Sequence, residues 1–295
     1  MHLPNRAGPR AVALETTLLL HGVPHEAAKG LARDLAADVR AGGGEPALIG
    51  VLAGLPIVGL SEAELDLLLA ASAAGSQTVP KANTSNLGIL MAQGSHAATT
   101  VSTTMELAAA AGVRVFATGG LGGVHQGWAS TLDISTDLFA LTRFPVAVVA
   151  SGVKSLLDIP ATREALETLG VPVVGFKTDK FPAFYLRESA AGVDARFDDV
   201  AKLAAFVSSE LERTGRGVLV VNPISREDEL DRAEFERWLL QARKHAEDHG
   251  ASGRHVTPAI LGALHLISRG ATLRANIALV RSNARLAGQL RAAMG

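Results

Sequence analysis

The sequence has no cysteine among its 295 residues, which removes disulfides, cysteine-ligated zinc and thiolate nucleophiles from consideration. It also lacks an excess of either charge: 28 Lys plus Arg face 29 Asp plus Glu. No overall field therefore draws the chain to nucleic acid or an anionic membrane, and any phosphate it binds must be held locally. No apolar stretch approaches the roughly 18 residues that a membrane-spanning helix needs. Met1 to Arg10 carries Pro4, Asn5, Arg6 and Gly8 but no hydrophobic segment of the secretory kind, so a cytoplasmic enzyme is expected. No fixed-period repeat and no linker is visible, and residues 1–295 read as a single domain. Neither a Gly-x-Ser-x-Gly elbow nor zinc-ligand spacing occurs, which leaves serine-hydrolase and zinc chemistry with little support.

What is present is a well-packed composition, 48% hydrophobic and 19% charged, with a regular alternation of patterns. Short apolar, β-branched runs recur at 47–51, 113–117, 146–150, 171–175 and 217–221. Helical periodicities lie between and after them, at 27–41, 61–74, 99–111, 160–169, 200–213, 232–249, 257–268 and 273–294. That order predicts βαβ units and a largely parallel sheet covered on both faces. Ser61 with Glu64 forms a capping box, Gly112 and Gly170 stand where helix C-caps belong, and Pro258 suits a first helical turn. Residues 179–198 show no clear period and read as an ordered loop or flap.

Four places carry residues suited to chemistry. Lys154 follows the apolar run 146–150, just past the carboxyl end of a strand where open α/β sheets bind ligands. Partial desolvation there would favour a nucleophilic free amine, although a surface lysine in a strand-to-helix turn has the same pattern. The run Thr118-Gly119-Gly120-Leu121-Gly122-Gly123-Val124-His125 could cradle an anion with its backbone N–H groups, or be only a sharp turn. Asp133 and Asp137 flank Ser135 and Thr136, an oxygen-only set suited to Mg or Mn and equally to helix capping. Glu15 is a carboxylate in an otherwise apolar early strand, either a proton donor with a raised pKa or half of a salt bridge. His21, His125 and Asn276 complete the polar set, and isolated histidines are more often structural.

Taken together, Ala-Leu-Glu-Thr-Thr at Glu15, Ala-Thr-Thr-Val at Val101, the glycine run ending at His125, Asp-Ile-Ser at Asp133 and Gly-Val-Lys-Ser at Lys154 resemble the pseudouridine-5′-phosphate glycosidases, in the same order. Phe-Pro-Ala-Phe-Tyr ending at Tyr185, Asn222-Pro223-Ile224 and Asn276-Ile277-Ala278-Leu279-Val280 extend the resemblance nearly end to end. It implies a three-layer α/β/α fold with a largely parallel mixed sheet, of the indigoidine-synthase-A type, commonly a homotrimer. It also implies Lys154 as a Schiff-base lysine, Glu15 as proton donor, and a Mn2+ (or Mg2+) ion held largely through waters by Asp133. Lys81, Val101, Thr118, Ser135, Thr136 and Asp137 match substrate-binding positions, as do His125 and Asn276. The substrate so implied is ribose 5-phosphate joined through C1 to an aromatic or nucleobase partner. Such a carbon–carbon bond offers no exocyclic oxygen or nitrogen to protonate, so a lysine iminium is the electron sink.

The chain departs from that family after Lys81. It reads Ala82-Asn83-Thr84-Ser85-Asn86-Leu87 where the family usually has Ser-Arg-Arg-Asp-Leu, and Val23-Pro24-His25-Glu26 where Met-Pro-Tyr-Pro is usual. With the sugar-phosphate machinery retained, these changes favour an aromatic polyketide acceptor and a C-ribosyl synthase of the alnumycin type. The alternative is ordinary cleavage of pseudouridine 5′-phosphate to uracil and ribose 5-phosphate.

Overall fold

A computed structural model describes residues 2–73, 75, 78–250 and 256–295. In chain order the elements are β1 (Ala11–Leu14), α1 (Thr17–His21), α2 (His25–Ala41), β2 (Glu45–Leu52), β3 (Leu55–Val58), α3 (Glu62–Ala73), β4 (Lys81–Ala82) and α4 (Leu87–Ala92). Then follow β5 (Ala97–Thr99), α5 (Val101–Ala110), β6 (Val115–Ala117), α6 (Trp128–Thr131), α7 (Thr136–Ala140), β7 (Ala147–Ala150), α8 (Ile159–Thr168) and β8 (Val173–Phe176). The chain ends with β9 (Ala195–Phe197), α9 (Val200–Thr214), β10 (Val218–Val221), α10 (Arg232–Asp248), α11 (Val256–Ile267) and α12 (Ala271–Ala293).

The strands form one mixed sheet in the order β4-β5-β2-β1-β6-β7-β10-β8-β9, with β3 hydrogen-bonded to β2 off this path. From β2 to β9 every neighbouring pair is parallel. Only β3 and β5 run antiparallel to β2. The central strands are apolar throughout because both faces are covered: every residue of β7 and β10 has no exposed surface. At about 25 cal/mol per Å² of apolar area, each such valine contributes roughly 1.5–3 kcal/mol to folding. Helices α2, α12 and α9 pack in a row, and α12 lies on β1, β6 and β7. Helix α5 packs on β1, β2 and β6, strands partly covered already by that row, and so covers the opposite face. This is the expected three-layer arrangement.

Each predicted run becomes a strand, trimmed or extended by one or two residues. The capping box forms: the Ser61 amide donates to Glu64 Oε2 at 2.8 Å, and the Glu64 amide donates to Ser61 Oγ at 3.3 Å. Gly112 and Gly170 take φ of 75° and 66° just past α5 and α8. The helix expected over 99–111 begins later, at Val101, because buried Thr99 belongs to β5 and its hydroxyl donates to the Ile49 carbonyl at 2.8 Å. Position 74 of the expected 61–74 helix lies outside the described residues. The segment 179–198 is ordered, as expected, but ends in strand β9 and buries Phe181, Phe184 and Tyr185. Among the described residues no helix is long and apolar enough to cross a membrane.

Candidate active site at the carboxyl ends of the strands

Four adjacent parallel strands, β1, β6, β7 and β10, end side by side, and the residues that follow them are stitched to one another. The Thr118 amide donates to the Val149 carbonyl at 3.0 Å and the Ser151 amide to the Gly119 carbonyl at 2.9 Å. The Lys154 amide reaches the Leu121 carbonyl at 3.2 Å. The glycine run after β6 and the lysine loop after β7 are thus one rigid unit. Asn283, fully buried on α12, closes it from behind: its Nδ2 donates to the Thr118 carbonyl (2.8 Å) and to Ser151 Oγ (3.1 Å), and its Oδ1 accepts from Asn222 Nδ2 (3.0 Å).

In front of this unit lies a cavity of about 200 Å³. Glu15, Lys81, Thr118, Lys154 and Asn276 line it, together with His21, Gly119, Gly120, Phe184, Tyr185 and a wall from α11. Glu15 keeps a sliver of surface toward the cavity and is otherwise enclosed by protein. That burial raises its pKa above the usual 4.5, and the charge of Asp137 adds to the effect. The Thr118 hydroxyl donates to Glu15 Oε1, and Lys154 and Lys81 pull the other way, without reversing it. Lys81 is open to solvent at the rim, yet the atoms crowding its ammonium and the like charge of Lys154 lower its pKa. His21 is also lowered, by burial first and Lys81 second. Its Nε2 lies 2.9 Å from the Val79 carbonyl and must carry the hydrogen of that bond. The site therefore brings together a carboxyl whose proton is favoured by burial, an imidazole held toward its neutral form and two lysine side chains.

Asn276 Oδ1 is buried with no hydrogen-bond partner among the described residues, the mark of a group waiting for a ligand donor. Phe184 holds φ at +61°, a conformation an aromatic residue adopts only under constraint. The constraint is visible: its amide donates to the Ser151 carbonyl at 2.9 Å, and Ser155 Oγ donates to the neighbouring Ala183 carbonyl at 2.5 Å. Its ring lies against the glycine run so closely that a Cβ at Gly120 would stand 2.6 Å from the ring edge. That close approach explains the glycine.

The remaining expected residues sit behind or beside the cavity. Asp137 is buried, and its two oxygens accept from the Ser102 amide (3.0 Å) and the Gly122 amide (2.8 Å), tying the start of α5 to the glycine run. Ser135 Oγ accepts the Asp137 amide at 3.2 Å and caps α7, and Thr136 Oγ1 lies 3.1 Å from Ser102 Oγ. Of the two readings of this segment, capping is the one the geometry realises for Asp137. Val101 is buried in the first turn of α5. His125 and Asp133 share a short ladder, with Nδ1 of the histidine 3.7 Å from Oδ2 of Asp133, which is half exposed. Among the described residues no cluster of three His, Asp or Glu side chains could cage an ion. A lone exposed carboxylate does fit a hard cation of the Mg2+ or Mn2+ kind that keeps most of its waters. Residues 83–86 do not line the cavity. Asn83 Oδ1 accepts from the Ser85 and Asn86 amides, and Asn86 Nδ2 donates to the Lys81 carbonyl at 3.1 Å, so the Asn83 and Asn86 side chains are spent on closing their own turn.

Reading from sequence singled out neither Asn283, nor Phe184 as a cavity residue, nor the α11 wall of Leu261, Gly262 and His265. For Asn283 a signal existed: it stands seven residues after Asn276, two helical turns along the same face of α12.

Comparison with known proteins agrees with the geometry. Residues 5–293 match the family described as indigoidine synthase A like protein. The pseudouridine-5′-phosphate glycosidase of Methylobacterium nodulans is 46% identical over 98% of this chain and 84% of its own length. That of Solibacter usitatus is 44% identical over 95% of this chain and 92% of its own. Among solved structures, the prealnumycin C-glycosynthase AlnA in complex with ribulose 5-phosphate superposes with a TM-score of 0.86 at 36% identity, covering 97% of this chain and 91% of that one. An indigoidine synthase A-like protein from Thermotoga maritima gives 0.88 at 36% identity, over 98% and 95%. A strand-end cavity lined by a lysine and a half-buried carboxyl, set in this fold and matched from residue 5 to residue 293, places the chain in the indigoidine synthase A-like family.

Proposed function

We propose that the chain is a pseudouridine-5′-phosphate glycosidase, an enzyme acting on the carbon–carbon bond between C1 of ribose 5-phosphate and uracil. The observation that carries this reading is the convergence in one cavity of Lys154 and Glu15, whose pKa burial raises. In the cleavage direction the Lys154 amine bonds to C1 and the ring oxygen leaves as a hydroxyl. Glu15 delivers a proton to the base carbon, and the carbon–carbon pair departs with the base as the lysine nitrogen forms an iminium to C1. Water then releases ribose 5-phosphate and restores the amine. Lys81 and the N–H groups of Gly119 and Gly120 would hold the phosphate, and Asn276 Oδ1 would accept from a sugar hydroxyl. Asp133 would hold the Mn2+ or Mg2+ ion, whose charge would offset that of the phosphate. A homotrimer, as the family resemblance implies, is part of the same proposal.

Relatives at 42–46% identity bear the glycosidase name, which supports uracil over an aromatic polyketide as partner. Of the two differences that favour a polyketide acceptor, at 83–86 and at 23–26, the first weighs less because Asn83, Ser85 and Asn86 bond within their own turn. The synthase direction retains one specific support, the likeness to the prealnumycin enzyme. Two measurements test the reading. Turnover of pseudouridine 5′-phosphate in the range of roughly 1–1000 per second is expected of a metabolic enzyme. Borohydride reduction with ribose 5-phosphate should add one sugar-phosphate mass to the peptide containing Lys154. Absent turnover with ribosylation of a phenolic acceptor would transfer the assignment to the synthase, and absence of any adduct on Lys154 would remove the mechanism.

A further inference from the structure

The cavity is chemically two-sided. Lys81, Lys154, Glu15 and the glycine run form a charged, hydrogen-bonding side suited to a sugar phosphate. Helix α11 contributes Leu261, Gly262 and His265 to the same cavity, and Phe184, whose ring lies against Gly120, adds further apolar surface. A flat uncharged ring leaving C1 is better matched by these neutral residues than by the charged ones.

Two features of α11 fit that use. Gly262 sits inside the helix, where glycine lowers helix stability relative to alanine, and a Cβ built there meets nothing within 4 Å. The glycine is therefore not demanded by packing against a protein neighbour; it is exposed and lines the cavity. His265 follows three residues later on the same face. Its Nδ1 is 2.8 Å from Thr272 Oγ1, which is itself 3.0 Å from Ser268 Oγ, and both hydroxyl residues are buried. This hydroxyl pair grips the ring from behind and serves either tautomer, because each hydroxyl can turn to donate or accept. Nε2 has no hydrogen-bond partner among the described residues. Burial lowers the pKa of the ring below 6.5, so it meets a ligand as a neutral group able to offer one hydrogen or one lone pair.

We propose that His265 is the specificity-determining residue for the group attached at C1, contacting the polar edge of a neutral heteroaromatic ring through Nε2 while Gly262 leaves the space in which that ring lies. This rests on the reading of the cavity as a C-glycosidic site and adds the half of it that reads the base.

The test separates the two halves of the substrate. His265→Leu, His265→Gln and Gly262→Ala are compared with the parent enzyme for pseudouridine 5′-phosphate turnover and for borohydride trapping of ribose 5-phosphate on Lys154, which needs no base. His265→Leu is expected to lose about 10- to 100-fold in kcat/KM, with trapping unchanged, and His265→Gln to recover part of the loss because it keeps a neutral polar atom. Gly262→Ala is expected to melt at a higher temperature yet show a raised KM, a combination that a purely structural residue does not give. It also decides the matter if His265→Leu fails to fold. Unchanged kcat/KM in His265→Leu, trapping that falls in parallel with turnover, or Gly262→Ala with unaltered KM would overturn the assignment. If the parent enzyme neither cleaves the C-nucleotide nor traps the sugar, the reading of the cavity has failed and this inference falls with it.

Discussion

Glu15 shows at the scale of one residue how a site stores a functional state. Its folded pKa lies above the ordinary 4.5, chiefly because burial penalises the charge, so the folded protein keeps a proton that the unfolded chain releases. Below the unfolded value both states are protonated and folding loses nothing. As pH rises from about 4.5 toward the raised value the unfolded state ionises alone, and stability erodes across that window. Glu15→Gln, which cannot ionise, should remove the erosion: relative to the parent, its melting temperature should be higher at pH 7 than at pH 4. The same change should lower kcat by about 10²–10⁴, the usual contribution of a general acid. A Gln variant that is fully active would leave the proton to another group. Lys154→Arg keeps the positive charge but supplies no neutral amine, so turnover and the borohydride adduct should both vanish while the melting temperature stays within about 2 °C, as for a group at a cavity wall.

Single elements decide how firmly these residues are held, and α12 does the most. Its Asn283 satisfies backbone and side-chain groups from the ends of β6, β7 and β10 at once. Asn283→Ala would strand the buried Thr118 carbonyl, at roughly 1–3 kcal/mol for an unsatisfied group, and leave Asn222 Nδ2 with its bond to Ser282 Oγ. Thermal melting should fall by several degrees, and activity should fall with it because Thr118 and Gly119 lose their anchor. Legibility from sequence follows the same physics. The long central strands could be read because burial on both faces demands unbroken apolar runs. Strands β4, β5 and β9 could not, since β4 and β9 carry exposed positions and β5 is the short Ala-Ala-Thr, so none makes a long β-branched apolar run. Asp137 was ambiguous because a carboxylate beside hydroxyls looks the same whether it meets an ion or two amides. His265 was hidden inside an ordinary helical pattern. The turn at 83–86 was ambiguous in the same way, because polar residues that fasten a loop resemble polar residues that line a pocket. A combined Thr84→Arg, Ser85→Arg and Asn86→Asp change should accordingly leave aglycone preference as it is and loosen the turn, since the Asn86 amide bond to the Lys81 carbonyl is lost.

At the scale of the whole molecule, the site is assembled from the ends of strands that also form the core. The fold positions Glu15 after β1, Thr118 after β6, Lys154 after β7 and Asn222 after β10, four neighbours in one parallel sheet. No unfolded chain can present these groups together, so a ligand that engages them binds the folded state alone and stabilises it by mass action. Ribose 5-phosphate at about 100 times its dissociation constant should add roughly 2.7 kcal/mol, raising the melting temperature by about 3–8 °C for a chain of this size. Lys154→Ala removes the covalent component and should shrink that shift, whereas chelation should shrink it only by the share the metal contributes to holding the phosphate. Because Asp133 is half exposed and outside the core, chelation in the absence of the sugar phosphate should leave the melting temperature unchanged. A ligand-free protein that melts several degrees lower after chelation would instead make the ion structural. A ribose 5-phosphate shift that persists in full after chelation would take the metal out of sugar-phosphate binding altogether.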